Sequence, residues 1–553
     1  MNQSTTYRIL FVCTVVVLVQ ILASFYTVRW DLTSDHRYSL SNPSKEFIKS
    51  IDQPIRIDVF LNGKLPQEYQ RLHSETEVIL QSITAQNDRF YYEFIDPFKG
   101  SDDVEQLLEE MNQYGLFPEL VVERENQAVE QSYFFPWMLL NYGDRTVRVS
   151  LLQKNLGDSP EQRILQSIQQ LEYAILDGVY KILLEEKKKI AVLSSHETSK
   201  DILVTNFLQD LLPYYNLAAF DLEAFPETPE KTLENLNRFD LLLVSNPKKV
   251  FSNTDKFILD QYTQQGGNSM YLIDPVHVQK DSLYALSGTT VSYGNSLELD
   301  DLFFKFGVRL RQELVKDLYS APIVLAQGQQ NASQYLPYPW PYNPLAAPNQ
   351  DHPIGSAVGS VHFQFASPID TLKNKVKKTV LIQSSSLSKI EGIPSLINLS
   401  SATEPIKPSL FTDSKQTLGV LLEGRFNSLY TNRIQPFEWK SKEIQPVRMA
   451  IFSDGNLLEN QIDKGQPLEL GYDKWTNNFY SNKQFLKNTI HYLIEDNRFL
   501  SLRAKEIKIA LLDTAKTESE LIYWRYFGLF APLLILLILG LIFNGYRLKS
   551  YRQ

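Results

Sequence analysis

The chain has 553 residues, with 64 acidic and 55 basic side chains and a formal net charge of −9. This mild acidity, without a basic stripe, argues against nucleic-acid binding and is explained by solubility. The length exceeds what one hydrophobic core accommodates, so two to four domains are expected. Because Cys13 is the only cysteine, everything after it lacks a disulfide, a thiolate nucleophile and a cysteine metal ligand.

Two uncharged apolar stretches lie near the ends of the chain. The first, Ile9 to Val28, has 20 residues, and the second, Tyr526 to Phe543, has 18. A bilayer core of about 30 Å requires roughly 20 apolar residues in a helix. Each stretch therefore predicts a membrane span, and we assign the two spans to residues 9–28 and 523–545.

Basic residues after the second stretch predict its orientation. Arg547, Lys549 and Arg552 follow it with no acid among them, and such flanks stay in the cytoplasm. Two spans return the chain to its starting side, so the short tails 1–8 and 546–553 are predicted to be cytoplasmic. The body is then periplasmic, anchored to the inner membrane. A cleaved signal peptide is the alternative for the first span, although its apolar run is longer than usual.

The first part of the body, residues 29–155, alternates strand and helix patterns. IRIDVF, from Ile55, has the two-residue period of a strand. The predicted order β-α-β-α-β-β is typical of a small thioredoxin-like α/β domain. The Phe117–Pro118 bond is a candidate cis-proline turn, with trans as the default. Without a Cys-x-x-Cys motif, redox chemistry is excluded. A long linking helix within 156–188 is predicted to begin at Ser159, Pro160 and Glu161.

In residues 189–500, short apolar strands alternate with helical patterns, which predicts a parallel sheet covered on both faces. One insertion, 335–353, holds six prolines without periodicity and is predicted to be an extended loop. Its aromatic residues are expected to stack on a sugar or peptide, or to pack the loop onto a core. Residues 501–522 are the predicted connector to the second span, with a strand candidate at 506–512. The predicted strands of the sheet are 190–193, 239–244, 269–273, 379–383 and 448–452.

Polar residues follow each of these strands. In an open parallel sheet, ligands bind beyond the carboxyl ends of the strands, so these residues define a candidate crevice for a ligand or partner. The alternative is that they are ordinary loop and capping residues. The candidate crevice residues are Ser194, Ser195, His196, Glu197, Asp274, Ser384, Asp454 and Asn456.

Known catalytic motifs are absent from the sequence. It has no P-loop, no His-Glu-x-x-His and no Gly-x-Ser-x-Gly elbow, and its seven histidines lack ligand spacing. We therefore predict no catalytic residue, no metal site and no cofactor.

Four stretches give the chain a family resemblance. With its terminal spans, it resembles the GldG family of gliding-motility proteins from Bacteroidetes-type bacteria, which are substrate-binding-like auxiliary subunits of an ABC transporter. The likeness covers nearly the whole chain but includes no catalytic signature. The stretches are DLTSDHRYSLSNPSKEFIKSIDQPIRIDVFLNG from Asp31, FYYEFIDPF from Phe90, HPIGSAVGSVHFQFASPIDTLKN from His352, and RMAIFSDGNLLEN from Arg448 together with NNFYSNKQFLKNTIHYLIED from Asn477.

The resemblance implies a partner permease and a separate ATPase, linked with gliding and with protein secretion to the cell surface. It also implies a glutamine-amidotransferase-like α/β fold for residues 189–500, a fold also seen in an intraflagellar-transport protein. Enzymes of that fold use a cysteine nucleophile, which this body lacks. A Gly-His-Gly-Glu-like turn is expected after the first strand of that domain, where this chain has Ser194-Ser195-His196-Glu197. Loss of both glycines argues against close approach of the backbone to a ligand.

Three functional hypotheses follow. The first is a non-catalytic auxiliary subunit of an ABC-transporter-like complex, whose body binds a periplasmic protein or glycan. The second is a membrane-tethered hydrolase or glycan-modifying enzyme that uses Glu197, Asp274 and Asp454, since paired carboxylates serve as acid and base when their pKa values differ. The third is a structural tether between envelope layers, which requires no pocket.

Overall fold

The computed structural model describes residues 39–99, 103–125, 128–152, 160–285, 288–327, 334–356, 358–440, 443–494 and 514–550. The first predicted span, Ser159 and the strand candidate at 506–512 lie outside these residues. The chain forms two compact units, Met1–Glu506 and Ile507–Gln553.

The N-terminal part of the first unit is a mixed α/β arrangement around a four-stranded sheet. Its elements are α1 (Asn42–Lys49), β1 (Ile55–Val59), α2 (Gln67–Gln86), β2 (Phe90–Phe94), α3 (Val104–Gln113), β3 (Glu119–Glu125), β4 (Ala128–Phe134), β5 (Trp137–Tyr142), β6 (Arg145–Ser150) and α4 (Pro160–Leu183). The strand order is β2-β1-β5-β6, with β1 parallel to β2 and antiparallel to β5. Strand β5 was not predicted. The predicted order β-α-β-α-β-β is found as β1, α2, β2, α3, β3 and β4.

Helix α4 packs against this sheet. Its apolar positions recur every three or four residues, as expected for a helix with one buried face, and they share one core with Ile57 and Leu140 of the sheet. The predicted linking helix therefore contributes to the N-terminal core. The Phe117–Pro118 bond is trans, since the cis bond among the described residues is Ile393–Pro394. The buried positions of α4 include Ile164, Ile168, Leu171, Ile175 and Val179.

A larger sheet follows. It begins with β7 (Lys189–Leu193), α5 (Asp201–Leu211), β8 (Asn216–Phe220), α6 (Pro229–Leu236), β9 (Leu241–Ser245), α7 (Asn253–Gln264) and β10 (Asn268–Leu272). The chain continues through β11 (Val276–His277), α8 (Lys280–Leu283), β12 (Thr289–Gly294), α9 (Asp300–Phe306), β13 (Val308–Leu310), β14 (Glu313–Asp317), β15 (Ser320–Gln327), β16 (Gln334–Pro348), β17 (Val361–His362), β18 (Ile369–Thr371), β19 (Lys377–Gln383), β20 (Ser388–Gly392) and β21 (Ser395–Asn398). It ends with β22 (Thr417–Gly424), β23 (Val447–Phe452), β24 (Ile462–Asp463), β25 (Gln466–Pro467), β26 (Tyr472–Asp473), β27 (Asn478–Phe479) and α10 (Asn482–Leu493), and short 3-10 turns lie at Leu399–Thr403, Pro408–Leu410 and Gly455–Leu458.

The main sheet has ten strands in the order β15-β16-β19-β22-β23-β10-β9-β7-β8, with β17 paired to β16. Strands β8, β7, β9, β10 and β23 are parallel. Taken in chain order, these five have the order 2-1-3-4-5 of doubly wound sheets, so the direction of winding reverses between β7 and β9.

The sheet is not parallel throughout, which corrects the prediction. Strand β22 pairs antiparallel with both β23 and β19, and β16 pairs antiparallel with β19. Strand β22 is not among the predicted strands, and the apolar runs of β19 and β23 do not reveal the direction in which a strand is paired.

The predicted proline loop is also wrong, because most of it is strand β16. This strand pairs with β15 through contacts such as Val324 opposite Pro337 and Pro322 opposite Pro339. Proline lacks a backbone N–H, so it fits a ladder only where that position points away from the paired strand. Positions whose N–H points away from the partner strand recur at every second residue. Pro337 and Pro339 of β16 have this spacing. Trp340 is buried, as packing of this segment onto a core requires.

Helices cover both faces of the main sheet. All five residues of β9 are buried, and alternate residues face opposite sides. Leu243 joins a core with Phe207 of α5 and Phe485 of α10, while Leu242 joins a second core with Phe257 of α7. The prediction that helices cover both faces is thus confirmed for these strands.

The second unit contains helix α11 (Thr514–Ser550). Within it, the 23 residues Tyr523–Gly545 are long enough and apolar enough on average to cross a membrane. This agrees with the predicted second span.

Leu243→Ala tests the two-sided core. Leu243 is completely buried, and removing such a side chain leaves a cavity, so the free energy of unfolding should fall by about 2–5 kcal/mol. Denaturant titration of the full chain in mild detergent measures it. The matched control is Leu396→Ala, because Leu396 is 67% exposed and its loss should cost far less. Equal losses for the two variants would contradict this assignment of the core.

Candidate functional site

The candidate site lies at the carboxyl edge, which we define as the edge of the main sheet where β7, β9, β10 and β23 end. The loop after β7 contains two consecutive residues with left-handed backbone, His196 at φ 63° and Glu197 at φ 51°. The carbonyl oxygen of His196 accepts hydrogen bonds from the backbone N–H groups of Lys248 (2.9 Å) and Lys249 (3.1 Å). Backbone hydrogen bonds therefore join the loop after β7 to the loop after β9. A ligand of a doubly wound sheet would bind between these two loops.

The His196 side chain is buried rather than directed into a crevice. Its ring stacks on Phe251 with centroids 4.0 Å apart. Its Nε2 lies 3.3 Å from Asp255 Oδ2, and its Nδ1 lies 3.0 Å from Ser195 Oγ. Burial alone would raise the pKa of Asp255, but hydrogen bonds from His196 and Ser252 lower it below its ordinary value. Asp255 also closes the capping box of α7 with Ser252, so His196 fixes the start of that helix.

Asp274 and Asp454 lie together where β10 and β23 end. Asp274 accepts hydrogen bonds from Gly455 N (2.5 Å) and from Asn456 Nδ2 (3.2 Å). Asp454 accepts from Asn456 N (2.8 Å) and from Gln364 N (2.7 Å). Each of the four carboxylate oxygens thus accepts a hydrogen bond from another group of the protein. This arrangement favours a structural role over acid–base catalysis.

Both carboxyl groups have a raised proton affinity. Burial, and then the neighbouring Asp274, raise the pKa of Asp454 to about 7. Burial likewise raises the pKa of Asp274 to about 6, against the hydrogen bond from Gly455. Lys280 is the nearby positive charge that opposes both shifts. The folded pair therefore holds protons at a pH at which the unfolded chain has released them.

Sequence reasoning missed Glu459 and Ser199 as parts of this edge. Glu459 Oε1 accepts hydrogen bonds from Ser199 Oγ (2.7 Å) and from Asn246 Nδ2 (3.1 Å), and Asn246 also donates to Asn456 Oδ1 (3.3 Å). Asn246 directly follows β9, so its position at a strand end was available as a signal. Glu459 lies beyond a 3-10 turn, and only the fold brings it back to the edge.

The remaining candidates lie apart from this cluster. Ser384 Oγ accepts from Gln416 N (2.8 Å) and donates to Ser385 O (3.1 Å); it follows β19, which β22 separates from β23. Ser194 donates to Phe220 O (3.1 Å). The Glu197 side chain is exposed and follows β7, two strand positions and thus roughly 10 Å from β10. The structure joins Asp274, Asp454 and Asn456, but not all eight candidates.

An open cleft lies at the opposite edge, where the parallel strands begin. Its volume is about 620 Å³, and no sequence motif pointed to it. No group of three or more potential ligands from His, Asp and Glu is placed to hold a metal ion within the described parts of the chain. The cleft is lined by both charges and amides, including Lys188, Asp240, Gln265, Glu423, Gln445 and Arg448.

Two protein-family models match parts of this chain. The family described as an ABC-type uncharacterized transport system, the ABC transport auxiliary family, matches residues 187–489, just over half of the 553. The chain belongs to this family, which gives it an accessory role in ABC-type transport. A second match, a domain of unknown function (DUF7088), covers residues 34–141.

The comparisons with solved structures and with curated proteins do not extend this family assignment. A solved structure of the mmIFT52 N-terminal domain is similar at 11% identity and a TM-score of 0.31, covering 56% of this chain and 98% of that one. No curated protein matches the chain.

Asp454→Asn tests the acid pair through the pH dependence of stability. Because the folded pKa values lie above the ordinary value of about 3.9, the unfolded chain releases these protons first. The stability from the pair is fully present below about pH 4 and is lost as the pH rises through about 7. The midpoint of thermal unfolding should therefore fall less steeply between pH 5 and pH 8 in the variant.

The slope is the informative quantity, because an amide also loses one acceptor and lowers stability at every pH. Asp351→Asn, at an exposed carboxyl group, is the control and should leave the wild-type slope unchanged. A slope in Asp454→Asn equal to the wild-type slope would refute the shifted pair.

Proposed function

We propose that this protein is a non-catalytic, membrane-anchored auxiliary subunit that acts beside a permease and an ATPase of an ABC transporter. The family match over residues 187–489 is the observation that carries the proposal. The apolar segment Tyr523–Gly545 supports a membrane anchor. The hydrogen bonds within the carboxyl edge support a non-catalytic role, because the polar groups there hold loops together.

The finer features are part of the same proposal. The body binds a periplasmic protein or glycan, and the complex serves gliding motility and protein secretion, as the resemblance to the GldG family implies. The N-terminal domain is thioredoxin-like, which the parallel β1–β2 pair joined by α2 supports. The domain from residue 189 is glutamine-amidotransferase-like, which the 2-1-3-4-5 order of its parallel strands supports.

The proposed topology has two spans, both termini in the cytoplasm and the body in the periplasm, at the inner membrane. Its support is the uncharged run of residues 9–28 and the basic tail after the second span.

Affinity purification of the full chain in mild detergent tests the subunit assignment. Permease and ATPase should co-purify with it, identified by mass spectrometry. Replacing Tyr523–Gly545 by 23 leucines keeps a span of the same length but removes its native surface. That variant should stay in the membrane fraction and recover less permease. A wild-type chain recovered as a clean monomer would count decisively against the proposal.

Cysteine labelling in intact spheroplasts tests the topology. In a Cys13→Ser background, which removes the only native cysteine, Lys407→Cys places a thiol at an exposed position of the body. A membrane-impermeant maleimide should label it before lysis, because the body faces the outside. The paired variant Ser550→Cys, in the basic tail, should react only after lysis. The reverse pattern would place the body in the cytoplasm.

A further inference from the structure

The amino edge of the main sheet, opposite the carboxyl edge, is rich in basic residues. We define it by the starts of β7, β9, β10, β23 and β19, the end of β22, and the turns between them. The turn before β19 and its first residues form the lysine segment, residues 373–378, with the sequence KNKVKK. Within this segment Lys373, Lys375 and Lys377 are exposed. Four lysines in six residues stand out in a chain whose net charge is −9.

Sheet pairing places further basic residues along the same edge. Lys377 lies opposite Glu423 of β22, which lies opposite Arg448 of β23. Exposed Arg425 directly follows β22. At the far end of the edge, Lys188 and Lys189 are exposed at the start of β7.

Acids on this edge offset only part of the positive charge. Glu423 pairs with Lys377 at 2.8 Å, and Asp240 pairs with Lys188 at 3.1 Å. Glu185 and Glu186 are exposed beside β7. The lysine segment lies at the other end of the sheet from these two acids, so its positive charge remains strongest there.

An exposed aromatic ring lies beside the lysine segment. Helix α9 ends at Phe306 and Gly307, and Leu372 N donates to Gly307 O (2.9 Å) while Asn374 Nδ2 donates to Phe306 O (2.9 Å). In the last turn of α9, Phe304 is 62% exposed, and exposed Lys305 follows it. Aromatic rings favour the headgroup layer of a bilayer, and lysines are attracted to anionic headgroups.

Helix α10 also ends at this edge. Ile494, directly after α10, lines the cleft that lies among the starts of the parallel strands. After Ile494 the sequence continues to the helix that is long enough to cross a membrane.

We propose that the amino edge, through the lysine segment and Phe304, contacts the headgroups of anionic phospholipids. This inference rests on the membrane anchoring in the proposed function. The anchor keeps the edge at high effective concentration near lipid, so a modest electrostatic attraction is enough to orient the body. Salt weakens such attraction, because the screening length falls from about 8 Å at 0.15 M to about 3 Å at 1 M.

Fluorescence quenching of the full chain in nanodiscs tests this contact. In the Cys13→Ser background, Thr371→Cys places a fluorophore at an exposed position beside the lysine segment. Lipids carrying a nitroxide at the headgroup should quench it in discs that contain phosphatidylglycerol. Quenching should fall several-fold in pure phosphatidylcholine and in 1 M salt. A fluorophore at Lys200→Cys, exposed at the carboxyl edge, should be quenched little in either disc.

Charge variants separate a lipid contact from simple proximity. The combined Lys373→Gln and Lys375→Gln change should reduce quenching at position 371 at least threefold in phosphatidylglycerol discs. The matched control, Lys407→Gln with Lys415→Gln, removes two exposed lysines away from the amino edge and should leave quenching unchanged. Unchanged thermal unfolding midpoints confirm that both variants are folded.

Three outcomes would overturn the proposal: no quenching at position 371, equal quenching at positions 371 and 200, or quenching unaffected by loss of the two lysines. If the fluorophore at position 371 became shielded only when a permease is added, the partner of the lysine segment would be an acidic protein surface. That result would also overturn the lipid proposal. Co-purification with permease and ATPase is measured without anionic lipid discs, so failure of the lipid contact and failure of the subunit assignment are distinguishable.

Discussion

Burial of the main sheet on both faces is the constraint from which the rest of the first unit follows. A strand such as β9, with all five residues buried, has no polar face to present to water, so helices must cover it on each side. Burying one leucine contributes about 1.5–3 kcal/mol, and Leu241, Leu242 and Leu243 are each completely buried. The apolar sequence of the strands therefore requires the layered arrangement, and polar chemistry is left to the two edges of the sheet.

The two edges use their polar residues differently. At the carboxyl edge, Asp274, Asp454 and Glu459 accept hydrogen bonds from neighbouring loops, so the groups that resemble a ligand site fix the ends of strands instead. The left-handed backbone at His196 and Glu197 fits the same role, since non-glycine residues hold such conformations only where the surroundings enforce them. At the amino edge, the cleft and the lysine segment face solvent. The part of the sheet most available to a partner is thus opposite the edge that sequence rules favour.

The sequence was informative where a pattern has one structural solution. Pro160 and Glu161 led directly to the start of α4, which begins at Pro160. The sequence was not informative where a strand forms only through pairing with a strand that is distant in the chain. Strand β22 and the proline-rich strand β16 form by pairing with neighbours that are distant in sequence. Pro337 and Pro339 fit into β16 because, at these two positions, the strand does not need a backbone N–H to pair with β15. In the site, strand-end positions predicted Asp274 and Asp454 as neighbours, but the donors that occupy their oxygens come from Gln364, Gly455 and Asn456.

The antiparallel extension of the sheet explains why the basic surface arises where it does. Because β22 runs opposite to β23, its end returns the chain to the amino edge, and β19 begins there beside it. A sheet with parallel strands only would have needed a helical crossover between these strands. Here the chain instead reaches the amino edge at the end of β22 and again at the start of β19, and the short turn from β18 into β19 carries the lysine segment. The same pairing that ends the parallel pattern thus places the lysine segment on the edge where the parallel strands begin.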